Sequence, residues 1–174
     1  MEPSRVFTLK FGAPGETNGE ARMTSSSYVA FRTIRDEVAS LKAAAFQRLA
    51  ATVFINGDQR NISAMLVSGN YFEVLAVRPS LGSAIPAAAD EPGAVPVVWL
   101  SHAFWQSVLA AVQKALGRSL KVDGLPYTVA GVMPEGFSGH STTRIDLWIP
   151  FAAAMRNTPG WDNGRRRRSR RGSW

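Results

Sequence analysis

Residues 53–75 read VFINGDQRNISAMLVSGNYFEVL, and this stretch decides the fold class. Two segments rich in β-branched residues, 53–55 and 62–67, lie on either side of Asn56-Gly57-Asp58. Asn-Gly is a strong hairpin turn, so the stretch predicts two antiparallel strands. Ser68-Gly69-Asn70 then predicts a turn into a short helix over residues 71–75.

The spacing of apolar residues changes along the chain that precedes this hairpin. Residues 5–10 alternate and predict a first strand, which a loop without periodicity follows through Glu20. Ser25-Ser26-Ser27 offers capping hydroxyls for a helix. The apolar stripe of this helix consists of Tyr28, Phe31, Ile34, Val38 and Leu41. The charged residues lie mostly outside the stripe and are Arg32, Arg35, Asp36 and Glu37.

After the hairpin, strands and helices are interspersed. Residues 95–100 predict a buried strand, and Ser101 caps a following helix whose expected left-handed C-terminal residue is Gly117. Asp123-Gly124 predicts a second hairpin between residues 119–122 and 127–132, and residues 147–150 predict a last short strand. The order indicates an α+β fold with mixed and antiparallel sheets and packed helices, rather than a doubly wound sheet.

The positive charge of the chain is concentrated at one end. The formal net charge of +7 falls to +1 without the six arginines of residues 165–171. Residues 156–174 are expected to form a disordered arginine-rich tail. Two explanations stay open: a nucleic-acid-binding function that acts through the tail, and the translated end of an out-of-frame segment. The remaining body, residues 1–155, is nearly neutral and long enough for one core.

Composition excludes several other classes. The 174 residues include no cysteine, which rules out a disulfide framework and thiolate chemistry. No apolar run approaches the roughly 18 to 20 residues that cross a bilayer, and the first residues lack the order of a signal peptide. The chain as written is therefore expected to be soluble.

Candidate catalytic groups form no recognisable pattern. His102 and His140 are far apart and lack a partner at metal-ligand spacing, and Ser101-His102 is an adjacent pair rather than a triad. The glycine-rich residues 131–139 lack the Gly-Lys-Ser/Thr ending of a phosphate loop. The carboxylates of residues 90–91, Glu135 and Asp146 are interpreted as solvated loop charges. Neither catalysis nor a bound metal or cofactor is predicted.

A longer comparison of motifs identifies a family. Residues 67–82, VSGNYFEVLAVRPSLG, resemble the signature "VSGNYFEVLGVRPALGR" of MacB-like periplasmic core domains. Three further blocks match in order: residues 98–106, VWLSHAFWQ; residues 116–132, LGRSLKVDGLPYTVAGV; and residues 146–150, DLWIP. The wording is most similar to the duplicated permeases of Acidobacteria. The signature residues, expected to serve the fold, are Gly69, Asn70, Tyr71, Phe72, Leu75, Pro79, Gly82, Ser101, Phe104, Trp105, Gly117, Gly124, Gly131, Trp148 and Pro150.

The resemblance implies a function outside the cytoplasm. In that family the domain lies between two transmembrane helices of an FtsX/MacB-type ABC transporter permease, on the periplasmic side of the inner membrane. It has a porter-like lobe and a smaller α/β lobe, and no catalytic residues. Implied partners are the permease helices and a cytoplasmic ATPase, with a periplasmic adaptor or a second permease copy as further candidates. The implied mechanism is mechanical coupling of membrane-domain motion to export or efflux.

The chain departs from the family pattern at three places. Ala76 stands where glycine is usual, and Ser83 where arginine is usual. Residues 107–115, SVLAAVQKA, replace the usual "RRFGGDPAV", which predicts a longer helix and the loss of a Gly-Asp turn.

Overall fold

A computed structural model describes residues 28–37, 42–55, 57–91, 93–109, 115–140 and 142–155. The predicted first strand over residues 5–10 and the arginine-rich tail lie outside the described residues. The elements in chain order are α1 (Tyr28–Glu37), β1 (Phe46–Ile55), β2 (Asp58–Val67), α2 (Tyr71–Val74), β3 (Leu81–Gly82), the 3₁₀ helix η1 (Ala87–Asp90), β4 (Val97–Leu100), α3 (His102–Leu109), β5 (Ser119–Val122), β6 (Leu125–Val132), β7 (Leu147–Pro150) and α4 (Phe151–Met155).

The seven strands form one mixed sheet that closes on itself. Their order is β3-β6-β4-β7-β2-β1-β5, and β5 also pairs with β6. Six strands therefore make a ring in which each has a neighbour on both sides, while β3 extends the sheet beside β6. β2 with β7 and β4 with β6 pair in parallel, and the other pairs are antiparallel. The predicted α+β class is confirmed, whereas the division into two lobes stays an expectation from the family.

Both predicted hairpins are confirmed. β1 and β2 pair along their full lengths, from Ile55 opposite Asp58 to Phe46 opposite Val67. At the second turn Asp123 and Gly124 have φ of 49° and 78°, and two positive φ angles match the twist of the flanking strands. The first hairpin is longer than predicted because β1 begins at Phe46, ahead of its β-branched segment.

Alternating residues divide the buried side chains into two groups. The first, which we call the ring core, receives residues from all six ring strands and therefore fills the inside of the ring. Its buried members are Ala51, Val53, Ile55, Ile62, Ala64, Leu66, Val98, Leu100, Phe104, Leu120, Val122, Tyr127, Val129, Val132, Leu147, Ile149, Phe151 and Ala153.

The second group, which we call the outer cluster, covers the opposite face of the three neighbouring strands β4, β7 and β2. Its buried members are Met65, Val67, Tyr71, Phe72, Ile85, Ala89, Trp99, Met133, Ile145 and Trp148. Burial on both faces explains why β4 and β7 read as continuous apolar runs, VVWL and LWIP.

Several element boundaries differ from the sequence prediction: β2 begins at Asp58 and β6 at Leu125, both earlier than predicted, and α2 ends at Val74. β4 begins at Val97 instead of residue 95, because Pro96 has no N–H to donate to the sheet and Val95 is 69% exposed. α3 is described from His102 to Leu109, so the predicted longer helix falls partly on residues 110–114, outside the described part. Among the described residues, no helix combines the length and apolar character needed to cross a bilayer.

Candidate functional site: the signature turn and the outer cluster

The signature turn fastens the end of β2 to the segment that precedes β1. The Ser68 N–H donates to the Ala45 carbonyl (2.9 Å), and the Ala45 N–H donates to the Ser68 hydroxyl (3.0 Å). That hydroxyl donates to Asn70 Oδ1 (2.8 Å), and Asn70 Nδ2 donates to the Ala43 carbonyl (2.8 Å). Ser68 is fully buried, so these bonds satisfy polar groups that water does not reach.

Asp90 completes this turn, which corrects the prediction of a solvated charge. Its side chain is buried, and Oδ1 accepts a hydrogen bond from the Gly69 N–H (2.8 Å) while Oδ2 pairs with Arg35 Nη1 (3.3 Å). Gly69 lies in the turn, and its φ is not positive. Glycine suits the position because a Cβ there would lie 3.1 Å from the Asp90 carboxyl group.

Tyr71 and Phe72 lie at the centre of the outer cluster, each 1% exposed. The Phe72 ring makes edge contacts with Trp99 and Trp148, at centroid distances of 6.1 and 6.0 Å. Such T-shaped contacts stabilise aromatic pairs beyond the area they bury. The four-residue helix α2 is thus held by side chains on its first turn.

The Tyr71 hydroxyl joins the turn to the loop before β7. It lies 3.0 Å from His140 Nδ1, accepts a hydrogen bond from the His140 N–H (3.3 Å), and contacts Met65 Sδ (3.4 Å). Burial raises the pKa of Tyr71 to about 12, although the bond from the His140 N–H lowers it. The pKa of His140 is lowered by burial and by the positive charge of Arg48. The imidazole also stacks on Phe46, with 3.7 Å between centroids.

Gly82, Gly131 and Gly139 allow close approaches around this cluster. A Cβ at Gly131 would lie 2.5 Å from Trp99 Cδ1, and one at Gly82, where φ is 82°, would collide with the Ala130 carbonyl oxygen. Gly139 has φ of 88°, and a Cβ there would lie 2.9 Å from the Tyr71 hydroxyl. Trp99 Nε1 donates to the Ser83 carbonyl (2.7 Å), a contact that does not depend on the side chain of residue 83.

Ala76 ends helix α2 in a conformation that favours glycine. Its φ is 52°, its N–H donates to the Glu73 carbonyl (3.0 Å), and the Val77 N–H donates to the Phe72 carbonyl (3.0 Å). These two bonds form a Schellman cap with Ala76 as the left-handed residue. The geometry explains why glycine is usual at this position of the signature.

The remaining signature residues are distributed around the ring. The Ser101 hydroxyl accepts a hydrogen bond from the Phe104 N–H (3.1 Å), which confirms the predicted cap. Gly117 has the expected positive φ of 77°. The side chains of Leu75, Pro79 and Trp105 are half-buried, Phe104 is in the ring core, and Pro150 lies opposite Val67 in the sheet.

A second carboxylate is also buried, contrary to the prediction of a solvated charge. Asp146 is 8% exposed, and its Oδ2 accepts a hydrogen bond from the Ser63 N–H (3.0 Å). Its Oδ1 accepts one from Arg144 Nε (3.0 Å). Glu91 and Glu135 are exposed, as predicted. Both buried carboxylates therefore hold backbone amides in place.

The candidate metal and nucleophile residues stay apart. His102 lies against Trp105, with 5.3 Å between ring centroids, whereas His140 belongs to the outer cluster. Within the described ranges, no group of three His, Asp or Glu side chains is placed to hold a metal ion. Sequence reasoning assigned Asp123 to a turn but did not predict its contact with β1, where its Oδ1 accepts hydrogen bonds from the Thr52 N–H (2.8 Å) and hydroxyl (2.9 Å).

Comparison with solved structures identifies proteins with a similar fold. The periplasmic region of MacB from Actinobacillus actinomycetemcomitans superposes with a TM-score of 0.67 at 13% identity, covering 86% of this chain and 66% of that one. The extracellular domain of the noncanonic ABC-type transporter YknZ from Gram-positive bacteria gives 0.61 at 15% identity, covering 76% of this chain and 66% of that one. The chain thus spans just under two thirds of either structure.

None of the curated proteins matches the chain. The model of the MacB-like periplasmic core domain, in contrast, matches residues 2–170. That match covers nearly the whole sequence and includes the signature turn and the outer cluster described above. The chain belongs to the family of MacB-like periplasmic core domains.

Proposed function

We propose that this chain is the non-catalytic extracytoplasmic domain of an ABC transporter permease, which couples movement of the membrane helices to export through protein contacts. The observation that carries the proposal is that the family block 67–82 forms the signature turn and part of the outer cluster, where the polar groups bond to the fold. Ser68, Asp90 and Asp146 all accept hydrogen bonds from backbone amides. Groups used in this way support a structural rather than a chemical role.

The closed sheet suits a domain that moves as a unit. Each ring strand is hydrogen-bonded on both sides, and β4, β7 and β2 are packed on both faces. A sheet whose strands close into a ring, and whose strands β4, β7 and β2 are packed on both faces, resists bending, so a force applied at one connection is expected to displace the whole body. In the intact transporter the domain would lie on the periplasmic side of the inner membrane. Its partners would be the permease helices, a cytoplasmic ATPase, and an adaptor or second permease copy.

Spin labels in the intact permease test this motion directly. The chain has no cysteine, so exposed positions such as Gln59, Glu73 and Arg78 accept single labels without background from this domain, and any cysteines elsewhere in the permease are replaced first. With the ATPase present, we expect the distance from Glu73 to a label on the adjoining membrane helix to change between nucleotide-free and ATP-bound states. The distance between Gln59 and Arg78, both inside the domain, should stay constant. A fixed distance from the domain to the membrane throughout the ATP cycle would overturn the proposal.

The arginine-rich tail provides the competing hypothesis of nucleic-acid binding. If the tail neutralised six phosphates, the logarithm of the binding constant would fall with the logarithm of the salt concentration with a slope of about −5. We expect the full chain to bind RNA or DNA only weakly. A chain lacking residues 165–171 should lose this weak binding and otherwise behave like the full chain. Tight binding that disappears with the tail and falls steeply with salt would favour the nucleic-acid function. Turnover on a panel of esters, peptides and phosphates, which we do not expect, would contradict the non-catalytic role.

A further inference from the structure

Helix η1 lies where three parts of the molecule meet. Its last residue, Asp90, bonds to the signature turn through the Gly69 N–H and to α1 through Arg35. The same short helix contacts α4, and its Ala89 is buried in the outer cluster. Thus α1 and α4, the first and last described elements, are both in contact with η1.

The link to α1 is an ion pair with one buried partner. The Asp90 side chain is 7% exposed and that of Arg35 is 28% exposed. Arg35 is held in position by Asp36, which accepts from Nε at 2.9 Å, and by the Phe31 ring, whose centroid lies 5.7 Å from the guanidinium carbon. Breaking a pair with a buried carboxylate leaves a charge without compensation, which is far costlier than losing a surface pair.

The link to α4 is one of proximity. α4 follows β7 without a loop and lies next to η1, although its Phe151 and Ala153 are buried in the ring core and Ala89 of η1 is buried in the outer cluster. Because a protein interior has low compressibility, we expect a shift of α4 to displace η1, and with it the Asp90 carboxylate.

We propose that Asp90 is the coupling residue of this domain: it connects α1 and α4 through η1 to the signature turn, so that the whole domain follows a displacement of either helix. This inference rests on the proposed function for its purpose, since in a transporter the displacement would originate in the membrane helices. The connection itself is a property of this chain and can be tested on it alone.

Hydrogen exchange of the full chain tests the ion pair. Asp90→Asn keeps an oxygen to accept from the Gly69 N–H but removes the charge that Arg35 pairs with. We expect α1 amides to exchange about tenfold faster, while the Gly69 amide and the ring strands keep their protection. Matched controls are Glu91→Gln, an exposed carboxylate next to Asp90, and Arg32→Gln, an arginine of α1 that forms no ion pair with a described residue. Both should leave α1 exchange unchanged.

Coupling is tested by loosening α4. Ala153→Gly should lower the equilibrium constant for forming helix α4 about fivefold. We expect it to speed α1 exchange in the wild-type background and to add nothing in the Asp90→Asn background. A purely structural Asp90 would give the same added effect in both. If Asp90→Asn lowers the protection of amides throughout the domain, Arg35→Gln replaces it, because this variant removes the ion pair and keeps the hydrogen bond of Asp90 to the Gly69 N–H. Arg35→Gln should then speed the exchange of the α1 amides and leave the other amides unchanged.

Two results would overturn the inference. One is α1 exchange in Asp90→Asn equal to that of Glu91→Gln, and the other is an undiminished effect of Ala153→Gly without the Asp90 charge. Either can occur while the labelled permease still shows domain movement, in which case the proposed function stands and only the route through Asp90 fails.

Discussion

The ring core and the outer cluster are built from the same strands by different means. The ring core is mostly aliphatic and needs only alternation along six strands that close on themselves. The outer cluster contains Tyr71, Phe72, Trp99 and Trp148 and is covered by a turn, η1 and loops instead of a second sheet. Irregular chain can cover a sheet only if its own polar groups are satisfied, and the hydrogen bonds of Ser68 and Asp90 achieve this.

The difference teaches where family sequence is constrained. Aliphatic packing tolerates exchange among residues of similar volume, whereas aromatic contacts, glycine approaches and side-chain caps each require a particular residue. The block 67–82 accordingly falls on the outer cluster and its turn, whereas the block 116–132 forms β5 and β6 of the ring. The ring core has the larger number of buried residues but fewer of the signature residues.

The largest expected effect breaks the outer cluster at its centre. Trp148→Ala removes a fully buried indole that contacts Phe72 and Phe137, and should lower the free energy of unfolding by about 3 to 5 kcal/mol. Its neighbour on the other face, Ile149→Ala, should cost about 2 to 5 kcal/mol by loss of aliphatic volume. Urea denaturation measures both, with Trp148→Phe as the variant that stays folded. A cost below about 1 kcal/mol for Trp148→Ala would contradict the central role of the cluster.

A smaller effect tests the close approaches. Gly131→Ala places a methyl group 2.5 Å from Trp99 Cδ1 inside packed surroundings and should cost about 1 to 3 kcal/mol. Gly69→Ala, whose methyl group would lie 3.1 Å from the Asp90 carboxyl, should cost less because a side chain can shift there. Neither glycine has a positive φ, so the comparison measures space alone. Equal costs would show that Trp99 moves as easily as Asp90.

A stabilising change is expected at the end of α2. Ala76→Gly restores the residue that suits φ of 52° and should raise the free energy of unfolding by about 1 kcal/mol. The left-handed penalty removed exceeds the entropy that glycine adds to the unfolded chain. Thermal unfolding measures the gain, and Ala88→Gly in η1, where φ is not positive, is the destabilising control. Loss of stability in Ala76→Gly would argue against the Schellman cap.

The smallest effect is a pH dependence. The pKa of His140 is lower folded than unfolded, so below about 6.5 the unfolded state binds more protons. The free energy of unfolding should therefore decrease as the pH falls from 7 through the folded pKa, and level off below it. The groups facing this imidazole are Tyr71 and Arg48. His140→Asn should remove this component in urea titrations, whereas His102→Asn should retain it.

Sequence patterns were sufficient where the decisive interactions are local. Asn56-Gly57 and Asp123-Gly124 fix hairpins because the turn residues and their strands are adjacent. Ser101 could be predicted as a cap because its partner, the Phe104 N–H, is three residues away. The family signature likewise lies in contiguous residues and carried the fold class with it.

Patterns failed where partners are distant. Asp90 was interpreted as a solvated charge because nothing near it in sequence shows that Gly69 and Arg35, 21 and 55 residues away, would satisfy its carboxylate. Asp146 was misread for the same reason, since its partner Ser63 lies 83 residues earlier. The close approach of Asp90 to Gly69 was not predicted because, unlike a turn dipeptide, it leaves no local trace in the sequence.

The sequence by itself determined the hairpins, the helix cap, the α+β class and the family, because these depend on short-range backbone preferences and contiguous motifs. Only the tertiary structure decided that β5 returns to β6 and closes the ring, and that the strands β4, β7 and β2 acquire a second buried face. Closure and burial are long-range events in which each strand depends on all the others. They arise from the requirement that every buried amide and carbonyl find a partner, a condition that only the complete fold can meet.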